Sequence, residues 1–495
     1  MGIKRIHPLH IVLYILAVFF FLGLYALVIP PEGWRLGNWE ITFVRPGQLH
    51  HASSDTLSRE KVESILAAVD TSMTPGTAGA MAVQTDTGQI AKPAAKDTVR
   101  KQAETVRLVY DSTGRKHLHR FFRTLQQNKG RISILHYGDS QIESDRITGF
   151  IREKFQSLFG GYGPGLIPAT EVYYMYAFRQ HYSDNWTRYV AFGQGNRLRS
   201  RKYGAMGSAS RFTPEYARVD SLMLDSLPVS EAWIRIRPSL KAYGRARRYS
   251  EVKMHYNDCV APVELTVKEG EKTVLTTSLR TDGKQHAVRL HFNHTPQDLT
   301  FRFKGKVSPN VCGFSLEGTR GVQVSNIALR GSDGAIFTRI RFSTLSGMMK
   351  EENTQMVIMQ FGGNAVVVFR DSAHVRKYAG WFQKQIYRVR KAMPGSTVLV
   401  IGPSDMSQTV KGEHHTYPLL PYAVEQMEKA SVEAGASFWN LYEAMGGENA
   451  MPVWVEKQLA AKDYVHFTGK GAKFAAQLFW NALWKDYEEW KEANR

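Results

Sequence analysis

Apolar positions along the chain fall into four successive rhythms. The first is an unbroken run, Ile11 to Ile29, of about 19 residues without a charge, long enough to cross the hydrocarbon core of a bilayer as a helix. Lys4, Arg5 and His7 precede it and Pro30-Pro31 stops it, which predicts a cytoplasmic amino terminus with the remainder on the outer side. The run is long for the core of a signal peptide and no small-x-small cleavage site comes after it, so an uncleaved anchor is expected. From about Pro31 to Lys101 the rhythm is lost: the sequence is polar and poor in aromatics, as in Met73-Thr-Pro-Gly-Thr-Ala-Gly-Ala-Met-Ala. This reads as a disordered stalk with one short helix near Ser58 to Val69.

Helical spacing appears at Leu118, Phe121, Phe122 and Leu125, stopped by Asn128-Lys-Gly130, and is followed by the apolar strand Ile132 to Tyr137. That strand breaks at Gly138-Asp139-Ser140, after which a helical pattern begins and runs to the glycine cluster Gly160-Gly-Tyr-Gly-Pro-Gly165. Between about Tyr176 and Ser325 the period changes to two. Short alternating runs (Trp233 to Arg237, Glu251 to Tyr256, Val263 to Lys268, Thr273 to Leu279, Ala287 to Phe292, Leu299 to Lys304) predict an antiparallel β-sandwich. The mixed α/β rhythm then returns, with strands at Met356 to Gln360 and Thr397 to Ile401. Helices are predicted around Ile336 to Met349, Tyr378 to Ala392, Tyr422 to Ala434 and Gly471 to Tyr487.

The simplest organisation is an α/β core split by an all-β insertion. Its expected parts are a cytoplasmic amino terminus (1–10), a transmembrane anchor (11–30), a disordered stalk (31–102), a first core segment (103–175), the inserted β-sandwich (176–320) and a second core segment (321–495). A length of 495 residues suits two or three folded units. The formal charge of +19 favours anionic surroundings without choosing among acidic glycans, phospholipid headgroups and nucleic acid. Cys259 and Cys312 are too few for a disulfide framework and show no redox or zinc spacing, which leaves them either paired with each other or simply buried.

Chemistry concentrates where strands end. A strand closing on Gly138 lets the backbone turn sharply and places the Ser140 hydroxyl, with its own N–H, at the first turn of the next helix. A serine is a poor nucleophile until a base takes its proton, so a histidine, a residue to orient it and oxyanion donors are required. The strand Met356 to Gln360 delivers Phe361-Gly-Gly-Asn364 just past its carboxyl end, where ligands of open α/β sheets bind. Near the chain end, Asp463 and His466 stand three apart in one tight turn, close enough to hydrogen-bond and fix the histidine tautomer.

Gly138-Asp139-Ser140, then Gly362-Gly363-Asn364, then Asp463 with His466 resembles the SGNH hydrolases, also called GDSL esterases, in their first, third and last blocks. In the third block Ala365 stands where the family usually has Asp or Glu. The second block is best matched by Leu329-Arg-Gly-Ser-Asp-Gly-Ala335, with Gly334 as the expected oxyanion glycine and Gly331 as the fallback. The resemblance implies a flavodoxin-like three-layer core in which Ser140 attacks, His466 serves as base then acid, and Asp463 orients it. Ser140 N–H, Gly334 N–H and the Asn364 side chain would form the oxyanion hole. A β insertion between the first two blocks is similar to bacterial cell-wall polysaccharide O-acetylesterases that carry a carbohydrate-module-like sandwich there.

That resemblance, together with the expected anchor, implies a membrane-anchored esterase on the periplasmic side of a bacterial cytoplasmic membrane, removing O-acetyl groups from a polysaccharide, with no cofactor, metal or nucleic acid. A sugar hydroxyl as acceptor, with a membrane-bound acyltransferase as partner, and an inactive glycan-binding scaffold are the alternatives. Two further features bear on substrate. The basic groups Arg197, Arg199, Arg201, Lys202 and Arg245, Arg247, Arg248 read as a solvated face or as a grip on acidic glycan or on the phosphates of nucleic acid, and Tyr173, Tyr174, Tyr176, Phe178 and Tyr182 as sugar-stacking rings or junction core. Glu413-His414-His415 lacks a helical metal-binding frame, and no metal is expected there.

Overall fold

The parallel strands of the central sheet are buried along almost their whole length, which requires cover on both faces. A computed structural model describes residues 17–18, 34–36, 39–41, 52–68 and 105–494. The central sheet runs in the order Gly321–Ala328, Arg131–Gly138, Thr354–Gln360, Thr397–Ile401, Ser437–Trp439, with the short antiparallel strand Leu108–Val109 at the edge. Numbering the parallel strands along the chain gives 2-1-3-4-5, the flavodoxin-like doubly wound order.

Alternate residues of each strand enter opposite cores. Leu135, Tyr137, Val357, Met359, Val398 and Val400 pack with helices Phe342–Glu351, Ser372–Ala392 and Leu420–Glu433. Ile132, Ile134, Met356, Ile358, Leu399 and Ile401 pack with Ser112–Gln127, Thr148–Phe159 and Gly469–Ala493. Helix, sheet and helix layers therefore form the core that the sequence implied.

The six alternating runs are strands, in two antiparallel sheets. One holds Lys272–Ser278, Val263–Glu269, Leu299–Gly305, Ser230–Pro238 and Phe178–Tyr182; the other holds His286–His291, Glu251–Asn257, Asn310–Glu317, Ser208–Arg211 and Thr187–Val190. Val263, Leu265 and Val267, with Leu299, Phe301 and Phe303 beside them in the same sheet, pack with Phe314 of the other sheet in the apolar layer between them. The antiparallel region begins earlier than the polarity pattern placed it, because Gly165–Ile167 already pairs with Phe314–Leu316. Strand Asn310–Glu317 is buried along its whole length. Its Val311, Phe314 and Leu316 enter the sandwich, while Cys312 enters a core of the α/β layer.

Where the sandwich meets the helix Phe342–Glu351, five ionisable side chains are gathered. Lys253 Nζ lies 2.7 Å from a carboxylate oxygen of both Glu317 and Glu352, Arg131 pairs with Glu317 at 2.8 Å, and His255 Nε2 sits 2.9 Å from Glu352. Burial and the neighbouring Glu352 push the Glu317 carboxyl up to about 7, while His255 and Lys253 outweigh burial and hold Glu352 below the ordinary carboxylate value.

Two compact units divide the chain, Met1–Lys61 and Val62–Arg495. In the first, Trp34–Leu36 and Trp39–Ile41 form a two-stranded ladder. A helix, Ala52–Ala68, spans the region where one short helix was expected, and Val62 at the start of the second unit is 1% exposed. The rest of the stalk lies outside the described residues. So does the expected anchor Ile11 to Ile29, apart from the helical Ala17 and Val18. Among the described residues, no helix is long and apolar enough to cross a membrane. Cys259 and Cys312 are free and buried, each without a disulfide.

Candidate active site

Strands Arg131–Gly138 and Thr354–Gln360 are neighbours at the point where the sheet order reverses, so both deliver their following residues to the same crevice. Gly138 has no room for a side chain: a Cβ there would lie 3.0 Å from Gln360 O and from Ile142. The segment after it differs from the expected continuous helix. Ser140–Asp145 is a short 3-10 turn broken at Glu143 and Ser144, and the α-helix starts only at Thr148. Ser144 and Asp145 have φ of 58° and 66°, a backbone conformation that non-glycine residues seldom hold. Asp145 is fixed there by a buried two-pronged pair with Arg152, at 2.5 and 2.9 Å.

Ser140 Oγ lies 2.8 Å from His466 Nε2, and His466 Nδ1 lies 2.8 Å from Asp463 Oδ2. The other carboxylate oxygen of Asp463 accepts the backbone N–H groups of Val465 and His466, both at 3.0 Å. Burial raises this carboxyl, but the His466 N–H and ring and the Val465 N–H outweigh it and hold Asp463 below its ordinary value. The histidine is thus held in the tautomer whose free nitrogen can take the serine proton. Its side chain keeps 39% exposure, so water reaches it.

Asn364 and Gly334 are placed less simply. Asn364 Nδ2 lies 3.1 Å from Ser332 O and 3.3 Å from Asp139 Oδ2, so its amide faces protein acceptors at the pocket wall. Gly334 has φ +92°, and a Cβ there would press on Phe382 and Phe361. Its N–H donates to Ser332 Oγ at 3.1 Å rather than toward the pocket. Gly331, φ +73°, has open space on its Cβ side. Asp139 also accepts the Gln141 N–H at 3.0 Å; burial pushes its carboxyl up to about 6 against the pull of that N–H and of His466. The pocket holds about 110 Å³, with Phe361, Val367, Pro403 and Met406 as its apolar side.

Two residues that no sequence motif singles out bind the site's two halves together. The Gln141 side chain donates to Val465 O at 2.6 Å and accepts the Phe467 N–H at 3.2 Å, straddling His466. Arg146 donates to Ser140 O at 2.8 Å and to Phe467 O at 2.7 Å. Tyr464, at φ 56°, lies under the ring of His414 with 3.5 Å between centroids. His414 belongs to the hairpin Ser407–Val410 and Glu413–Thr416, so the Glu-His-His run supports the histidine turn through an aromatic face. Gln141 could have been suspected from its place beside Ser140; Arg146 and His414 act across contacts invisible in local sequence.

No protein-family model and no curated protein matches the sequence. Among solved structures, a peptidoglycan O-acetylesterase matches with a TM-score of 0.60 at 19% identity, covering 77% of this chain and 99% of its own. An acetyl xylan esterase covers 32% of this chain and 81% of its own at 15% identity, with a TM-score of 0.24. A family two carbohydrate esterase from Clostridium thermocellum, in complex with cellohexaose, covers 54% and 96% at 10% identity, also with a TM-score of 0.24. The first of these likenesses gives the chain the fold of that peptidoglycan O-acetylesterase, in keeping with the sheet order and the crevice at its reversal point.

Proposed function

We propose that this chain is a serine esterase that removes O-acetyl groups from a cell-wall or surface polysaccharide. The observation that carries the reading is the continuous hydrogen-bonded line Asp463, His466, Ser140, opening on a pocket whose small apolar side suits a short acyl group. His466 takes the Ser140 proton as Oγ attacks the ester carbonyl, then returns it to the departing sugar oxygen; Asp463 steadies the imidazolium formed in between. Water activated by the same histidine releases acetate from the acyl-serine. The Ser140 N–H and Asn364 amide stabilise the oxyanion, Asn364 giving up its longer contact, that to Asp139. Gly334 joins them by releasing Ser332 Oγ, with Gly331 as the other glycine of that loop.

The run Ile11 to Ile29 anchors the chain in a bacterial cytoplasmic membrane in this proposal, with the catalytic unit on the periplasmic side and the sandwich facing the glycan. Ser140→Ala is expected to abolish release of acetate from an acetylated polysaccharide and from a small acetyl ester, with thermal unfolding unchanged. Turnover by that variant at the parental rate would refute the reading.

A further inference from the structure

Beside the catalytic turn lies a surface that the chemistry of ester cleavage does not use. The loop Tyr173–Tyr176 is tied to that turn by a hydrogen bond from Ser144 Oγ to Tyr174 O at 2.9 Å. Tyr174 and Tyr176 are 39% and 41% exposed, meeting edge to face at 5.6 Å. Over the Tyr174 ring stand two cations, Arg179 at 4.4 Å and Lys241 at 5.1 Å. Lys241 opens the loop that runs on to Arg248, and this loop sets Arg245 and Arg248 over the ring of Tyr162, at 5.7 and 4.4 Å. Its Tyr243 lies near Gly149 at the start of the helix after the catalytic turn.

Arginines elsewhere on the surface hold carboxylates: Arg235 and Arg237 hold Asp298, Arg289 holds Glu351, and Arg330 holds Glu143. Among the described residues, Arg179, Lys241, Arg245 and Arg248 form no such pair. The nearby carboxylate of Glu171 is engaged with the Met175 N–H at 2.7 Å. A guanidinium lying on an aromatic face is held in place by the ring while its in-plane N–H groups remain free for an acceptor.

We infer that this strip is a binding track for an acidic glycan, with sugar carboxylates paired to Arg179, Lys241, Arg245 and Arg248 and a sugar ring resting on Tyr176. Single-stranded nucleic acid fits less well, since base stacking needs uncovered rings and Tyr174 and Tyr162 already carry cations. The track deepens the esterase reading by specifying its polymer as acidic, and rests on that reading for the position of the reacting ester.

The test uses the full chain carrying Ser140→Ala, so that binding is read without turnover. Calorimetric titration is expected to show binding of a short oligogalacturonate that weakens when salt rises from about 0.05 M to about 0.5 M. Affinity should fall about tenfold in the added variant Lys241→Gln/Arg245→Gln/Arg248→Gln, whose thermal unfolding shows that it is folded. Undiminished binding by that variant, equal binding of cellohexaose, or equal binding of a single-stranded oligonucleotide would each overturn the proposal. The parental chain is assayed in parallel on an acetyl ester. If it binds the acidic oligosaccharide but cleaves nothing, the esterase reading falls and the track stands; if it cleaves the ester but binds no acidic oligosaccharide, the track falls alone.

Discussion

Asp139, the residue before the serine, is 5% exposed and its carboxyl titrates near 6 rather than near its ordinary value of 3.8. A folded value above the unfolded one means that ionisation opposes folding. This carboxyl therefore takes nothing from stability below about 4, destabilises the fold progressively as pH rises through the window from about 4 to about 6, and holds that effect above it. Asp139→Asn removes that loss. Denaturant unfolding of parent and variant at pH 4 and pH 7 should show the variant gaining on the parent by roughly 2–3 kcal/mol between the two pH values. A gap that does not widen with pH would mean that the carboxyl is solvated or shared. What the native chain keeps in exchange is a carboxylate 3.3 Å from the Asn364 amide at the wall of the pocket.

At the scale of elements, the catalytic line joins a turn after residue 138 to another after residue 462, and Gln141 spans them with both ends of its amide. Gln141→Glu replaces the donor facing Val465 O with a carboxylate oxygen, which repels it. The expected result is a fall in kcat of about 10 to 100-fold with KM for a small ester nearly unchanged, because a displaced base slows the step without removing substrate contacts. A change confined to KM would show that Gln141 touches substrate instead. These contacts also mark how far the sequence could be read. Ser140, Asn364, Asp463 and His466 were legible because each is a polar side chain in a turn just after an apolar strand or before a capped helix. The six alternating runs were legible from period two. Strand Gly321–Ala328 was not, since it is buried on both faces and comes after a β region without a change of rhythm. The kink at Ser144 and Asp145 escaped notice because no glycine announces it; a buried ion pair with Arg152 holds it instead.

For the whole molecule, the charged group at the seam decides how firmly sandwich and core are joined. Lys253 touches two buried carboxylates, Glu317 from its own sheet and Glu352 from the end of a core helix. Lys253→Met leaves both carboxylates in place without it and should lower unfolding free energy by about 3–5 kcal/mol. Adding Glu352→Gln to that variant should recover part of the loss, because it removes one of the stranded charges. Denaturant curves of the two single variants and the double variant measure this coupling; strictly additive losses would contradict a shared cluster.

The serine-bearing strand Arg131–Gly138 has one neighbour 190 positions downstream, Gly321 opposite Arg131, and another more than 200 positions away, Gln360 opposite Gly138. Its histidine partner arrives later still. A chain emerging from its amino end must therefore hold this strand unpaired until the whole β insertion has been made, and without its second neighbour until a further helix has followed, and closing such distant contacts is slow. Ser140, His466 and Asp463 meet only in the finished molecule, so a growing or truncated chain carries the serine hydroxyl without the imidazole beside it.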